Sequence, residues 1–225
     1  MYSLAELPGS VRAQINAASF PTKSVGWEFS DLDPNPVVDE IRKWISLVEE
    51  GRVITAVGDK KCGLGLLLQG EPGHGKTTLA SVTAQTLIRT MAPLGWNTPG
   101  STVKRPVMFL DYPKLLRLQK QQWSEFDDSV ELLINGLYGE SSRENNVRLL
   151  VLDDLGKEYR TASGWAENTF DALLRARFNA GLPTIVTTNY SLDKWDSMYG
   201  ESMGSFGHEA FVPLDIIATG GDRRR

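Results

Sequence analysis

The chain has 225 residues, of which 41% are hydrophobic, which is enough for one large domain with a packed core. No stretch approaches the roughly 18 consecutive apolar residues of a membrane span, and a basic segment followed by an apolar one, as in a secretory signal, is absent from its start. The single cysteine, Cys62, excludes an internal disulfide framework and a cysteine-based zinc module, so we expect a cytoplasmic protein. With 24 Lys and Arg against 28 Asp and Glu, the formal charge of −4 excludes binding to nucleic acid through bulk charge, and any DNA contact must be a local patch.

The first residues differ in pattern from the rest of the chain. We expect residues 1–30 to form a short leader, and residues 31–225 to form the main domain. Within the leader, Val11, Ile15 and Ala18 recur at the spacing of one helix face. Two interpretations stay open: a helix folded onto the domain, or an arm that binds a partner.

The most informative stretch is GLLLQGEPGHGKTTLA, residues 65–80. An apolar run ends in a pattern that fits G-x-x-x-x-G-K-[ST], the phosphate-binding P-loop between a strand and a helix. Its glycines allow backbone N–H groups to point inward around phosphate oxygens, and the N-terminus of the following helix adds its dipole. Lys76 reaches the terminal phosphates and the Thr77 hydroxyl binds Mg²⁺. The predicted ATP-binding residues are Glu71, Pro72, Gly73, His74, Gly75, Lys76, Thr77 and Thr78.

A second apolar strand, VRLLVLD at residues 147–153, ends in two acids. Its continuous hydrophobicity is typical of a strand buried in a parallel sheet. In a P-loop protein such acids complete the site. We expect Asp153 to hold Mg²⁺ through water and Asp154 to polarise the attacking water.

A third apolar strand, residues 183–189, has a polar tip. Asn189, with Thr188, is placed to contact the γ-phosphate or the attacking water, the alternative being an ordinary residue of a strand-end turn. The last strand, residues 210–216, contains Pro213 and is expected at an edge of the sheet. The terminal Arg223, Arg224 and Arg225 form either a solvated tail or a γ-phosphate contact.

The order of these elements predicts the fold class. Strands alternate with helices, which indicates an α/β three-layer sandwich around a central parallel sheet. An extra strand between the P-loop strand and the acid-tipped strand is the arrangement of P-loop NTPases that use a catalytic acid, the ASCE class. We therefore expect a P-loop ATPase.

Three further motifs carry a more specific resemblance. The runs LLVLDDLGKE, LPTIVTTNYSLDKW and GDRR, together with the P-loop, resemble the helicase-loader branch of the AAA+ ATPases, which includes DnaC- and DnaI-type loaders and IstB transposition ATPases. The resemblance implies a small AAA+ core with little or no C-terminal lid. It makes Asp153 and Asp154 the Walker B pair, Asn189 the first sensor, and Arg223 or Arg224 the second.

By this resemblance, the chain is expected to load a hexameric replicative helicase onto single-stranded DNA during DNA replication, under control of ATP, and a homo-oligomer is compatible with it. Two alternatives stay open. One is an IstB-like ATPase that assists a transposase on duplex DNA, and the other is a nucleotide-dependent adaptor that hydrolyses ATP only weakly.

Two features of the sequence bear on activity and on DNA. No arginine lies between Arg177 and Arg223, and Phe206 stands where the resemblance places an arginine finger, so we expect weak ATP hydrolysis unless a partner or the C-terminal arginines supply the charge. Lys157, Tyr159 and Arg160 follow the Walker B acids and combine cations with an aromatic ring, which suits single-stranded DNA. The alternative is an ordinary exposed loop.

Overall fold

The protein is described by a computed structural model. Its described residues are 1–50, 53–57, 60–91, 97–98, 101–102, 105–142, 144–157 and 164–217. Elements are numbered along the chain within these ranges.

The described residues form alternating strands and helices. The strands are β1 (Ile54–Val57), β2 (Lys60–Gly63), β3 (Gly65–Gln69), β4 (Asn97–Thr98), β5 (Ser101–Thr102), β6 (Val107–Asp111), β7 (Leu149–Leu155), β8 (Thr184–Thr188) and β9 (Phe211–Asp215). The helices are α1 (Gly9–Ala17), α2 (Val37–Glu49), α3 (Lys76–Met91), α4 (Tyr112–Ser124), α5 (Asp128–Tyr138), α6 (Trp165–Asn179), α7 (Trp195–Tyr199) and α8 (Glu201–Ala210). Short 3₁₀ turns lie at Leu4–Glu6, Thr22–Ser24, Phe29–Asp31 and Leu192–Lys194.

The central sheet has five strands in the order β6-β7-β8-β3-β9, and each neighbouring pair is parallel. Strand β8 lies between the P-loop strand β3 and the acid-tipped strand β7, as the sequence predicted for the ASCE class. Strand β9 is at an edge, where Pro213 costs the fewest ladder hydrogen bonds. The strands β1–β2 and β4–β5 form two small antiparallel pairs apart from this sheet.

Side chains of the central strands alternate between two hydrophobic cores. Leu66, Leu68, Val151 and Ile185 face the core that holds α1, α2 and α3. Their sequence neighbours, Leu67 among them, face the core that holds α4 to α8. Because each strand is apolar on both faces, helices cover both sides of the sheet, and the predicted three-layer architecture is confirmed.

Residues 1–30 pack against the first of these cores. Val11 and Ile15 are buried there, and the Phe109 N–H donates to the Ala18 carbonyl over 2.7 Å, which joins this segment to β6. The Tyr2 hydroxyl donates to Gln85 of α3 over 2.8 Å. The helix is therefore folded onto the domain. A role of its outer face in partner binding, and a boundary at residue 30, stay predictions.

The described part of the chain ends shortly after the last strand, β9. The described residues extend to 217, two residues beyond the end of β9, and contain no helix after that strand. In the described part of the chain, no helix is both long and apolar enough to cross a membrane.

Candidate nucleotide-binding and catalytic site

The loop between β3 and α3 has the backbone that phosphate binding requires. Gly73 and Gly75 have φ of 87° and 86°, values at which any other residue is strained. A Cβ placed on Gly75 would meet no atom within 4 Å, so the loop opens onto free space at the start of α3. A glycine-rich turn at the N-terminus of a helix is the arrangement that binds an anion through backbone N–H groups and the helix dipole. Along this stretch, Glu71 and Pro72 are exposed, and Gly73, His74, Gly75, Thr77 and Thr78 are partly exposed.

Lys76 is held at the centre of this loop. Its side chain is only 6% exposed, and its ammonium donates to the Gly70 carbonyl over 2.7 Å and to the Glu71 carbonyl over 2.8 Å. Buried ammonium groups require such acceptors. The loop therefore carries one positive charge on its inner side, which is the charge that a bound phosphate needs.

The P-loop threonine, in the first turn of α3, contacts the first acid, on β7. The Thr77 hydroxyl donates to Asp153 Oδ1 over 3.1 Å. Mg²⁺ in nucleotide sites uses one or two protein oxygens together with phosphate oxygens and waters. A hydroxyl and a carboxylate at this distance fit that ion. Among the described residues no group of three or more His, Cys, Asp or Glu side chains could hold a metal.

Asp153 is the more buried of the two acids, with 8% of its surface exposed. Burial raises the pKa of its carboxyl above the ordinary value, the hydrogen bond from Thr187 lowers it, and the charge of Asp154 raises it again. The Thr77 hydrogen bond and the charge of Lys157 also lower this pKa, but burial outweighs them. A divalent cation bound beside Asp153 would stabilise the charged form of its carboxyl.

Asp154 lies in an irregularity of β7. Between the pairs Leu152–Val186 and Leu155–Thr188 the register shifts, so β7 has one more residue than β8. Asp154 takes φ of 60°, a left-handed conformation that costs a residue with a Cβ roughly 1 kcal/mol. Bulges next to active sites re-aim side chains. The irregularity lies at the two consecutive acids, Asp153 and Asp154.

Thr187 holds both acids and was missed from the sequence. Its hydroxyl donates to Asp153 Oδ1 over 2.5 Å and accepts from the Asp154 N–H over 3.0 Å. Thr188, which was predicted to face the phosphates, donates to the Leu155 carbonyl over 3.0 Å and accepts from the Tyr190 N–H. Adjacent residues of a strand point to opposite faces, and the face of Thr187 is the one toward the acids. A contact of Thr188 with a phosphate stays a prediction.

Asn189 follows directly after β8 and is partly exposed. Its part in contacting the γ-phosphate stays a prediction.

An exposed apolar side chain, Ile217, lies near the P-loop and was not predicted from the sequence. His74 Nδ1 lies 3.1 Å from the Ile216 carbonyl, and Asn35 Nδ2 donates to the Ile217 carbonyl over 3.2 Å. The Ile217 side chain is 68% exposed there. This places an apolar side chain and an amide beside the phosphate loop.

Lys157 is ion-paired to Asp154, with its ammonium 2.7 Å from Oδ1. Tyr159 and Arg160, the other predicted DNA contacts, lie outside the described residues, as do Arg223 and Arg224. Phe206 is buried, and the Arg175 guanidinium covers its ring at 4.5 Å. The expected finger position is therefore a packed aromatic ring.

Comparisons with known proteins agree with this geometry. Residues 66–214 match the sequence model described as ATPase family associated with various cellular activities (AAA). Among curated protein sequences none matches the chain.

Solved structures resemble the fold. The DnaC helicase loader is 25% identical with a TM-score of 0.60, and the match covers 88% of this chain and 100% of that one. DnaI is 20% identical with a TM-score of 0.60, covering 88% and 95%. AMPPCP-bound DnaA from Aquifex aeolicus is 13% identical with a TM-score of 0.56, covering 92% and 53%. The last two similarities concern the fold alone.

Proposed function

The chain belongs to the ATPase family associated with various cellular activities and is an ATPase, and from this premise we propose that it loads a replicative DNA helicase onto single-stranded DNA. The observation that carries the proposal is the similarity to the DnaC helicase loader, which extends over the whole of that chain at 25% identity. It is supported by the glycine-rich loop before α3, the buried Lys76 and the contact of Thr77 with Asp153.

In the proposed site, the loop N–H groups and Lys76 bind the phosphates of ATP. Thr77 and Asp153 hold Mg²⁺, which when bound offsets negative charge on the phosphates. Asp154 orients and polarises the attacking water, and Asn189 contacts that water or the γ-phosphate. The base of the nucleotide rests on the exposed Ile217 side chain. Arg223 or Arg224 acts as a second sensor.

We expect hydrolysis by the chain alone to be weak. An arginine finger is worth on the order of 10³–10⁵ in rate, and Phe206 occupies its expected position. A partner, or the C-terminal arginines, would supply the missing charge. Single-stranded DNA is proposed to contact Lys157, Tyr159 and Arg160, where a cation and aromatic pattern suits backbone and stacking contacts.

The proposal is tested by the mass in solution of the chain mixed with the replicative helicase of its cell. The mixture is measured with ATP and Mg²⁺, with ADP, and with the Lys76→Ala variant. A discrete complex whose stability depends on the nucleotide supports the loader. No complex in either nucleotide state would contradict it, and binding to duplex DNA would then favour the transposase-assisting alternative.

A further inference from the structure

A tight turn follows the Walker B acids and returns the chain toward them. The Lys157 N–H donates to the Asp154 carbonyl over 3.3 Å, and Gly156, third in this turn, has φ of 93°. A positive φ at the third position is the mark of a type II turn and requires glycine. The turn places the Lys157 side chain beside the carboxylate of Asp154, with 2.7 Å between the ammonium and Oδ1.

The carboxylate held in this way is the one proposed to activate water. Its residue is fixed at the backbone by the hydrogen bond from its N–H to Thr187 over 3.0 Å, and at the side chain by Lys157. An ammonium bound to a carboxylate oxygen occupies the lone pairs to which a water molecule would otherwise donate. The ion pair therefore opposes the catalytic use of Asp154.

The ion pair between Lys157 and Asp154 is exposed to solvent and can be broken at low cost. The Lys157 side chain is 44% exposed and that of Asp154 is 38% exposed, and ion pairs in contact with water are weak. A second anion that approaches from solvent can take the ammonium at little cost.

An aromatic ring lies against the glycine that precedes this lysine. A Cβ on Gly156 would come within 2.5 Å of the Tyr190 ring, so the ring lies directly over the glycine that precedes Lys157. Tyr190 is 37% exposed and follows Asn189 at the end of β8. An exposed ring beside an exposed cation is the combination that binds the bases and phosphates of a single strand.

We propose that Lys157 is a positioning residue that restrains Asp154 at rest, and that a phosphate of single-stranded DNA takes the Lys157 ammonium and frees the Asp154 carboxylate for catalysis. This inference rests on the proposed function and adds a coupling between the DNA contact and the hydrolytic site. Tyr190 contributes a stacking surface for a neighbouring base. Hydrolysis is then low without DNA and rises when a strand is bound.

The test compares the wild-type chain with Lys157→Met and Lys157→Arg. ATP turnover is measured with and without a single-stranded oligonucleotide, and the affinity for the oligonucleotide is measured over a range of salt concentrations. Lys43→Met is the matched control, because Lys43 forms an exposed ion pair of the same sequence spacing, 2.6 Å from Glu40, on the surface of α2.

We expect Lys157→Met to raise turnover without DNA by about two- to fivefold, the range of a partly exposed ion pair, and to lose further stimulation by DNA. The slope of log affinity against log salt should fall by about 0.7, the value for one phosphate contact on a single strand. Lys157→Arg should retain DNA stimulation, and Lys43→Met should match the wild type.

Three results would overturn the inference, each in a different way. If Lys157→Met has the same turnover and the same stimulation by DNA as the wild type, then Lys157 does not restrain Asp154. The proposed function would still stand. If the helicase raises ATP turnover without DNA, and this effect is lost in Lys157→Met, then the anion that takes the ammonium is a carboxylate of the helicase and not a DNA phosphate. No turnover by the wild type, even with helicase and DNA, would overturn the proposed function and the coupling together.

Discussion

The Thr187 hydroxyl donates to Asp153 Oδ1 over 2.5 Å and accepts from the Asp154 N–H over 3.0 Å, so one side chain of β8 fixes both acids of β7. Groups that orient metal ligands typically contribute about 10–100-fold to activity. We expect Thr187→Val, which keeps the shape but removes the hydroxyl, to lower ATP turnover by that amount.

The control for Thr187→Val is Thr83→Val. Thr83 is equally buried, in α3, but its hydroxyl donates to the Leu79 carbonyl of its own helix. Turnover measured at saturating ATP should be unchanged in Thr83→Val. Equal turnover in Thr187→Val and the wild type would show that the acids need no support from β8.

The buried carboxyl of Asp153 should make the nucleotide-free protein less stable than it would be with a neutral side chain. Because burial raises the pKa of Asp153 above its ordinary value, the folded state binds more protons than the unfolded state between the two pKa values. The free energy of unfolding therefore falls as pH rises through this window and is constant above it. Asp153→Asn should remove that slope and increase stability at neutral pH.

Urea unfolding of Asp153→Asn and the wild type, from acidic to neutral pH and without nucleotide, checks this prediction. Asp154→Asn is the control: it loses only a partly exposed ion pair, so its stability should change by less than about 1 kcal/mol. A lower stability of Asp153→Asn at neutral pH would contradict the argument.

Arg177 is expected to be essential for stability and not for catalysis. It is fully buried, its pKa is lowered by burial to about 9, and it donates to Thr184, Leu137, Val147, Arg148 and Pro183. Arg177→Leu leaves these acceptors without a donor, each worth about 1–3 kcal/mol, and should lower the free energy of unfolding by at least roughly 3 kcal/mol.

Arg175→Leu, on the same helix, provides the comparison. Arg175 is partly exposed, pairs with Asp171 at 2.7 Å, lies over the Phe206 ring and donates to Ser202, so its loss should cost about 1–2 kcal/mol, less than that of Arg177. Urea unfolding measures both variants. Similar losses for the two would mean that burial of Arg177 carries no special weight.

The exposed Ile217 is expected to support the base of the nucleotide. Ile217→Asp replaces an apolar contact with a charge, and should weaken ATP binding by about tenfold, the value of a partly buried aliphatic side chain. Calorimetric titration with ATP and with inorganic tripolyphosphate separates the two ends of the ligand. Tripolyphosphate affinity should be unchanged, and a parallel loss for both ligands would place Ile217 at the phosphates.

The parts of the site that depend on residue order were predictable from the sequence. Lys76, Thr77 and Asp153 follow from the P-loop pattern and the acid-tipped strand, and the contact between Thr77 and Asp153 confirms their proximity. The position of β8 between their strands and the edge position of β9 were also predicted correctly.

The parts that depend on backbone irregularity were not predictable. The left-handed Asp154 and the extra residue in β7 appear only once β7 is paired with β8, and they determine which threonine faces the acids. The pairing of Lys157 with Asp154 depends on the turn at Gly156. Likewise, burial of Val11 and Ile15 depends on contacts with residues far along the chain.

Transfer of the helicase to circular single-stranded DNA tests the central claim most directly. A circle has no ends, so a ring-shaped helicase can reach it only if the ring is opened. The helicase retained on isolated circles is quantified with and without this protein, in ATP and Mg²⁺. The account predicts retention that requires the protein and is lost with Lys76→Ala. Equal retention without the protein, or with Lys76→Ala in its place, would contradict it.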